Sequence, residues 1–562
     1  MSDEAEKRSQ TRAQLRKLRR RRAIRNRILF ALAVVLLAAA IGLCIWAAVR
    51  VLIPGEKDPG AATDAPSQTG QVLQSLPSGT GATLPPPETA PPETQPPETQ
   101  PPVTQPPATQ PVPSTAQAAR LEPRILEEVC RLCAGYNYDE ALRILRLIPD
   151  YEQIPEAVEE IAAIEATVST LVEIPYSQVY HVFFHTLIAD SEVAFKRSGS
   201  WAAFNETMTT VKEFNAILQQ MYDNGWVLVR LHDIAGFSAS GEFVPGSIKL
   251  PPGKKAFVLS LDDISYYHYM LETGGPNVNA FARKIVIDAD GRPRCEYVQQ
   301  DGTVAVGDYD AVPLLESFIE AHPDFSYRGA KGCIALTGYN GILGYRTDSI
   351  YAFEDTPAFR EKYLKDWIAF FGENDGTADA TLAYFVRERN NYPGMYVGFD
   401  REKEREQALG VVMRLKSLGW EFASHTWGHI NVETNSLDSI RADNERWQFE
   451  VGSLLGGTDI IIFAFGSDLA DWHPYTDENE KFAYLSSQGF HYYCNVSTYE
   501  LPNAWVQFSS SYQFLRQARA NLDGYAMWKE LSKNPDGRLD VFFRVEDVFD
   551  PARPTPVDAV NY

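Results

Sequence analysis

KAFVLSLDD, residues Lys255–Asp263, is an apolar run that stops on two carboxylates. A strand apolar on both faces is buried on both faces, which is the habit of a parallel sheet covered by helices. Seven other stretches read alike: QVYHVFFHTL (Gln178–Leu187), WVLVRL (Trp226–Leu231), CIALTG (Cys333–Gly338), WEFAS (Trp420–Ser424), DIIIFAFG (Asp459–Gly466), FHYYCNV (Phe490–Val496) and LDVFFRV (Leu539–Val545). Helical periods intervene at 204–225, 312–322, 401–418, 436–455, 478–488 and 512–531. About eight buried strands alternating with helices predict an α/β fold, an irregular, closed or nearly closed (β/α) barrel. Residues 280–310 break the rhythm with strand-like runs and Asp-Gly turns, which predicts a β-hairpin insertion. In such a barrel the reactive groups gather at the C-terminal strand ends. That rule puts Asp262, Asp263 and the residues just after WEFAS on one face.

Those residues are HTWGH, with His425 and His429 four positions apart. Read as a helix turn, this spacing places both imidazoles on one side, where they supply two of the nitrogen ligands that a divalent cation needs. The Glu that a zinc protease carries after its first His is absent, so a protease helix is excluded. Asp262-Asp263 is the carboxylate that would complete a metal set. The plainer alternatives are two packing histidines and a solvated strand end.

The chain has 562 residues and its first hundred or so are not globular in character. Residues 1–27 hold eleven Lys or Arg against three acids and read as a basic cytoplasmic tail. Residues 28–49, ILFALAVVLLAAAIGLCIWAAV, are uninterruptedly apolar. At 1.5 Å per residue they span roughly 33 Å, one bilayer core, and the basic flank predicts a single-pass anchor with the rest of the chain outside the cell. Residues 54–118 are rich in Pro and Thr and read as an extended stalk, and 119–175 as a short helical neck. The barrel is expected over 177–562. The formal charge is −22, of which residues 1–53 carry +9, so the remainder carries −31. So acidic an exported part excludes nucleic acid as a partner. Six cysteines, including a lone CxxC at Cys130 and Cys133, make no disulfide framework.

The chain resembles the polysaccharide deacetylases, the NodB-homology group of metal-dependent carbohydrate esterases, over about Val179–Pro554. SLDDI (Ser260–Ile264) is similar to that family's TFDDG motif, and HTWGH to its H-[ST]-x-x-H motif. LPPGKKAFVLSLDD (Leu250–Asp263) and LGYRT (Leu343–Thr347) are closest to membrane-anchored members from Gram-positive bacteria. The resemblance implies a barrel of the NodB type. It implies that Asp263, His425 and His429 hold a divalent metal, zinc first, with Co2+, Ni2+ or Mn2+ as substitutes. It implies that Asp262 is the catalytic base and that the backbone N–H of Phe465, in FAFG (Phe463–Gly466), helps hold an oxyanion. The activity implied is hydrolysis of N-acetyl groups on an extracellular polysaccharide, cell-wall peptidoglycan or another N-acetylglucosamine polymer.

The departures from the pattern are specific. The third motif, R-x-P-[FY]-G, falls on Ile462–Gly466, where Ile462 and Ala464 replace its Arg and Pro, so the usual orienter of the base is missing. The final L-x-H motif, source of the general acid, is absent; Leu539–Pro554 offers only carboxylates such as Asp540, Glu546 and Asp547. DLADW (Asp468–Trp472) imitates the fourth motif but comes too soon after the third. His185, His232 and His473 are candidates for a substitute acid, whereas His181 and His491 sit inside strands and read as packing. Two rivals remain: an O-acetyl esterase on the same scaffold, and a wall protein that binds glycan without turnover.

Overall fold

The computed structural model describes residues 120–557, apart from 196–200, 272–279, 373–374, 471–472, 498–504 and 533–536. The basic tail, the apolar segment at 28–49 and the stalk expected from the sequence lie outside the described residues. Among the described residues no helix is long and apolar enough to cross a membrane.

Seven parallel strands close into a barrel: β1 (Tyr180–Phe184), β2 (Lys255–Asp262), β3 (Cys333–Leu336), β4 (Glu421–Ser424), β5 (Ile460–Ile462), β6 (Tyr492–Val496) and β7 (Phe514–Asn521). Each pairs with the next, and β7 returns to β1 through Ala520↔Val182 and Asn521↔Phe183. The ring is irregular, since β4 meets β5 at the single pair Ser424↔Ile461. The alternation of strand side chains explains both surfaces. On β2, Phe257, Leu259 and Leu261 face the surrounding helices, while Ala256 and Val258 belong to a second apolar cluster with Ala335, Ala423 and Cys494. Small inward residues let a seven-membered ring close without an open channel.

The neck is a structural part of this second cluster. Helices Pro123–Ala134, Tyr138–Arg146 and Pro155–Thr170 contribute Val129, Leu132, Ala141, Leu145, Ala157 and Ile161 to the same core as Val179, Val227, Ile460 and Leu515, at the N-terminal strand ends. Arg328 N–H donates to Gly135 O at 2.7 Å, the Tyr136 hydroxyl donates to Asp324 O at 2.7 Å, and Val172–Ile174 pairs antiparallel with Ile248–Leu250. Cys130 and Cys133 are free thiols on the first neck helix.

Four sequence expectations are corrected. Residues 512–531, expected as one helix, fold as strand β7 followed by a helix over Gly524–Glu530 that Asp523 caps, its carboxylate accepting from Ala526 N–H at 2.7 Å. Two arginines and a glutamine in FLRQARAN disguise a buried strand, because buried charge is normally selected against unless it is paired. Leu539–Val545, expected as the last strand, is a turn in which Phe542 N–H bonds Leu539 O at 2.9 Å and the Phe542 ring packs 5.3 Å from Trp226. The insertion at 280–310 is a three-stranded meander, Lys284–Ile287, Pro293–Val298 and Val304–Gly307, one strand more than a hairpin. WVLVRL yields only Trp226–Leu228, which pairs with β2 outside the ring before a short helix over Leu231–Ile234.

That helix puts His232 at the N-terminal end of the barrel, where Nδ1 meets Glu421 at the start of β4 and Nε2 meets both oxygens of Asp459 at 3.1 Å. Burial opposes its charge, but the hydrogen bonds the ring donates to Asp459 and Glu421 outweigh it and raise the imidazole to about 10 from an ordinary 6.5. A raised basic group contributes stability that is complete below its unfolded pKa and is lost as pH rises through the folded one. Unfolding by denaturant is therefore expected to show stability falling between pH 6.5 and about 10. The His232→Gln protein should lose most of this slope, and an unchanged slope would show the linkage to lie elsewhere.

Candidate metal centre and active site

The C-terminal strand ends surround a cavity of about 520 Å³. Its polar lining is spread around the ring: His185 after β1, Asp262 and Asp263 at the end of β2, His425 and His429 after β4, and Arg519 and Asn521 on β7. Phe204, Met208, Tyr269, Tyr339, Phe465 and Val496 supply most of the apolar wall.

Asp263, His425 and His429 each offer one ligand atom, and these atoms lie within 4.8 Å of one another. His429 Nε2 is 3.7 Å from Asp263 Oδ2, and His425 Nε2 is 4.0 Å from Asp263 Oδ1, too long for hydrogen bonds and suited to a cation between them. His425 Nδ1 lies 2.7 Å from Ile462 O. A carbonyl only accepts, so Nδ1 carries the hydrogen and Nε2 presents its lone pair to the cluster, the tautomer a metal requires. Burial lowers His429 against the pull of Asp263, which favours the lone-pair-bearing form of that ring. The donor set, two nitrogens and one carboxylate with room beside it, fits a divalent cation of the zinc type.

The two histidines do not share a helix turn. HTWGH is an irregular loop in which Thr426 and His429 have φ of 62° and 52°, in the left-handed region. Side-chain acceptors hold it there: Asp443 takes Trp427 N–H at 2.7 Å and Gly428 N–H at 2.8 Å, and Thr426 Oγ1 takes Ile430 N–H at 2.9 Å. The Trp427 indole donates to Asp348 at 2.9 Å, while the Arg446 guanidinium lies 3.2 Å from the centroid of its ring. Asp263 also has a left-handed backbone, with φ of 63°, and its Oδ1 accepts the Tyr267 hydroxyl at 2.5 Å. Burial pushes this carboxyl up, but His429, His425 and His185 together with the Tyr267 bond leave it below its ordinary value.

Asp262 is buried beside Asp263 and is held by Arg519, whose NH1 and NH2 donate to its two oxygens at 2.7 and 2.9 Å. Burial alone would raise this carboxyl; the Arg519 charge, then His425, reverse the sign and hold it well below the carboxylate range. Arg519 NH1 also reaches Ser260 Oγ at 3.0 Å, and Ser260 in turn meets His181 Nε2 at 3.0 Å, so a polar chain runs down the barrel axis. The arginine partner for Asp262 that the sequence reading found missing at Ile462–Gly466 is thus present in space, but on β7. The signal was available only as an arginine inside a stretch that read as helix.

The remaining expected residues separate cleanly. Phe465 lines the cavity with a left-handed backbone, φ 58°, and its ring is 4.5 Å from that of His429. His185 lines the cavity too. His232 lies at the opposite end of the barrel, and His473 is engaged with Ala470 O at 3.0 Å on the surface. His491 meets Gln513 O at 2.7 Å just before β6, and His181 is fully buried inside the barrel. Asp468 of DLADW pairs with the buried Arg516 and does not line the cavity. Asp540, Glu546 and Asp547 are also absent from its lining.

No protein-family model matches this chain, and no curated protein does. Among solved structures it is similar to the Streptococcus pyogenes deacetylase PplD in complex with acetate, over 63% of this chain and 96% of that one, at 12% identity and a TM-score of 0.27.

The geometry predicts two outcomes. Removing one partner of a buried ion pair strands the other charge, so Arg519→Met should destabilise the protein by about 3–5 kcal/mol, with much of the loss recovered in Arg519→Met/Asp262→Leu. Chemical unfolding of the four proteins of this cycle would contradict the pairing if the two losses simply added. Asp443→Asn puts an N–H donor where two backbone N–H groups need an acceptor. Zinc affinity by competition titration should fall about 10–100-fold, the usual cost of losing an outer partner of a ligand.

Proposed function

We propose that the protein is a metal-dependent deacetylase that hydrolyses N-acetyl groups on an extracellular polysaccharide, cell-wall glycan being the first choice. The observation that carries this reading is the convergence of Asp263, His425 and His429 on one point beside a second, independently held carboxylate, Asp262. An ion held by the first three would act as a Lewis acid, polarising a carbonyl and making water more acidic. In this reading Asp262 would receive the proton of that water. Arg519 occupies one lone pair on each of its oxygens, and a carboxylate keeps others for the proton. The arginine would also keep the carboxyl from swinging onto a bound ion, so that the two neighbouring acids could keep different tasks.

Phe465 and Tyr269 line the cavity with 56% and 45% of their surface exposed. Tyr269 extends a stack in which Tyr267 lies 5.3 Å from it and 4.6 Å from Tyr339. Flat aromatic faces at the entrance suit the apolar face of a sugar ring, and the polar groups at the cavity floor suit its amide. Zinc as the ion, peptidoglycan as the polymer, the Phe465 N–H as an oxyanion donor, and a position outside the cell behind an anchor at 28–49 all belong to this reading. They are supported by the SLDDI and HTWGH motifs and by the apolar and Pro-rich N-terminal sequence.

A glycan-binding protein without turnover is the reading favoured by the lack of any histidine on β7. Acetate release decides between them. The zinc-loaded protein is expected to free acetate from N-acetylglucosamine oligomers, and Asp263→Ala or His425→Ala to abolish both zinc binding and release. Full activity in either variant would dismiss the assigned centre, and glycan binding with no acetate released under any divalent metal would favour the rival.

A further inference from the structure

The loop HTWGH has a backbone that such a sequence does not hold by itself. Thr426 and His429 lie in the left-handed region, which residues with a Cβ leave unless their surroundings over-determine it. Asp443 holds the amides of Trp427 and Gly428, and Ile462 O holds the His425 ring. Among the described residues the His429 ring makes no hydrogen bond; it meets Asp263 at 3.7 Å and the Phe465 ring at 4.5 Å. Its place is therefore inherited from the loop that carries it. The root of that loop is Trp427, which sits between the two histidines, is buried, and stays out of the cavity that they line.

We propose that Arg446 is a positioning residue for this loop, wedged so that a helical insertion between β3 and β4 clamps Trp427 and, through it, His429. The inference rests on the ion-binding reading of Asp263, His425 and His429. The insertion, residues 337–400, carries helices Pro357–Phe371 and Thr377–Asn391 with a core of their own around Trp367, Leu382 and Phe385. It reaches Trp427 at several points. The N–H groups of Gly338 and Tyr339 donate to the Trp427 carbonyl at 2.9 and 3.2 Å, the indole donates to Asp348 at 2.9 Å, and the Tyr384 ring stands edge-on to it at 5.5 Å. A Cβ on Gly338 would lie 2.0 Å from the indole, so glycine is what lets the two segments meet. Arg446 comes from the helix Leu437–Trp447 that follows the loop and closes the gap. Its guanidinium carbon is 3.2 Å from the Trp427 ring centroid and 4.7 Å from that of Tyr384.

This is not an ordinary buried ion pair. The Arg446 bond to Asp348 is long, at 3.4 Å, and that carboxylate already accepts from the Trp427 indole and from Ile350 N–H. Arg446 Nε is shut away from water and has no hydrogen-bond partner among the described residues. An arginine placed for charge presents its fork to the acid, as Arg519 does to Asp262. Arg446 forgoes that geometry for two ring faces, a flat contact that a planar guanidinium makes and a lysine ammonium does not. The shape of the group therefore matters here more than its charge.

The test separates shape from charge in the full-length chain. Arg446→Lys keeps the charge beside Asp348 and loses the flat contact, whereas Arg446→Met loses both. Zinc affinity by competition titration should fall about 10–100-fold in each, the usual cost of losing an outer support of a ligand. Phe359→Ala, which removes a ring packed on Phe353 and Tyr363 within the insertion, should unfold more easily yet bind zinc within about threefold of wild type. In the metal-free protein, nitrogen-15 spectra of the imidazoles should show His429 shifted in Arg446→Lys while the His425 Nδ1–H held by Ile462 is unchanged, a pattern that general loosening would not give. Unchanged affinity in both Arg446 variants, recovery of affinity by Arg446→Lys, or an equal loss in Phe359→Ala would each overturn the proposal. If Arg446→Met does not fold, Arg446→Lys decides alone. Wild-type protein that binds no divalent metal would refute the ion-binding reading itself, an outcome distinct from these.

Discussion

A guanidinium and a carboxylate, both shut away from water, tie the mouth of the barrel: Arg519 on β7 and Asp262 on β2 are not neighbours in the sheet, and the bond between them passes over β1. β7 and β1 share only two register pairs, so this bond spans one of the thinly stitched seams of the ring. Taking two charges out of water is expensive, and only bidentate geometry with further partners offsets the cost. Arg519 finds such a partner in Ser260, whose hydroxyl oxygen accepts from NH1 at 3.0 Å. The ion pair therefore binds closure of the fold to definition of the site. A protein that lost it would lose a fixed carboxylate and a seam together.

The rest of the cavity depends on how the neighbours of this pair divide the available charge. Arg519 neutralises Asp262, which leaves Asp263 as the acid available to an ion. Tyr267 fixes one oxygen of Asp263 and so directs the other toward His429. Ile462 O and Asp443 set the two imidazoles, one through a ring nitrogen and the other through the backbone of the loop that carries it. Each residue of the triad is thus held by a group outside it, which is how a cluster stays organised before anything binds.

How much of this was legible in the chain depended on whether a residue's role was local. Strands such as Lys255–Asp262 and Tyr492–Val496 announce themselves because every residue obeys the same burial rule. Asp263 and the histidine pair were findable because their residue types and spacing are a chemical statement. Strand β7 was hidden because Arg516 and Arg519 are buried only by virtue of Asp468 and Asp262, tens and hundreds of residues away, and no local pattern encodes a partner. The helix expected for HTWGH failed for a related reason: Asp443, which captures the two backbone N–H groups, lies on the next helix, Leu437–Trp447. Phe542 and Phe543 imitated a strand because consecutive buried aromatics satisfy a hydrophobic count whether the backbone is extended or turned.

The neck helices share a core with the N-terminal strand ends, whereas the cavity opens at the other pole. A disturbance in the neck therefore reaches the cavity only through the whole height of the barrel. Neck packing and site geometry are settled at opposite poles of the described residues, so a substitution in one can leave the other as it was.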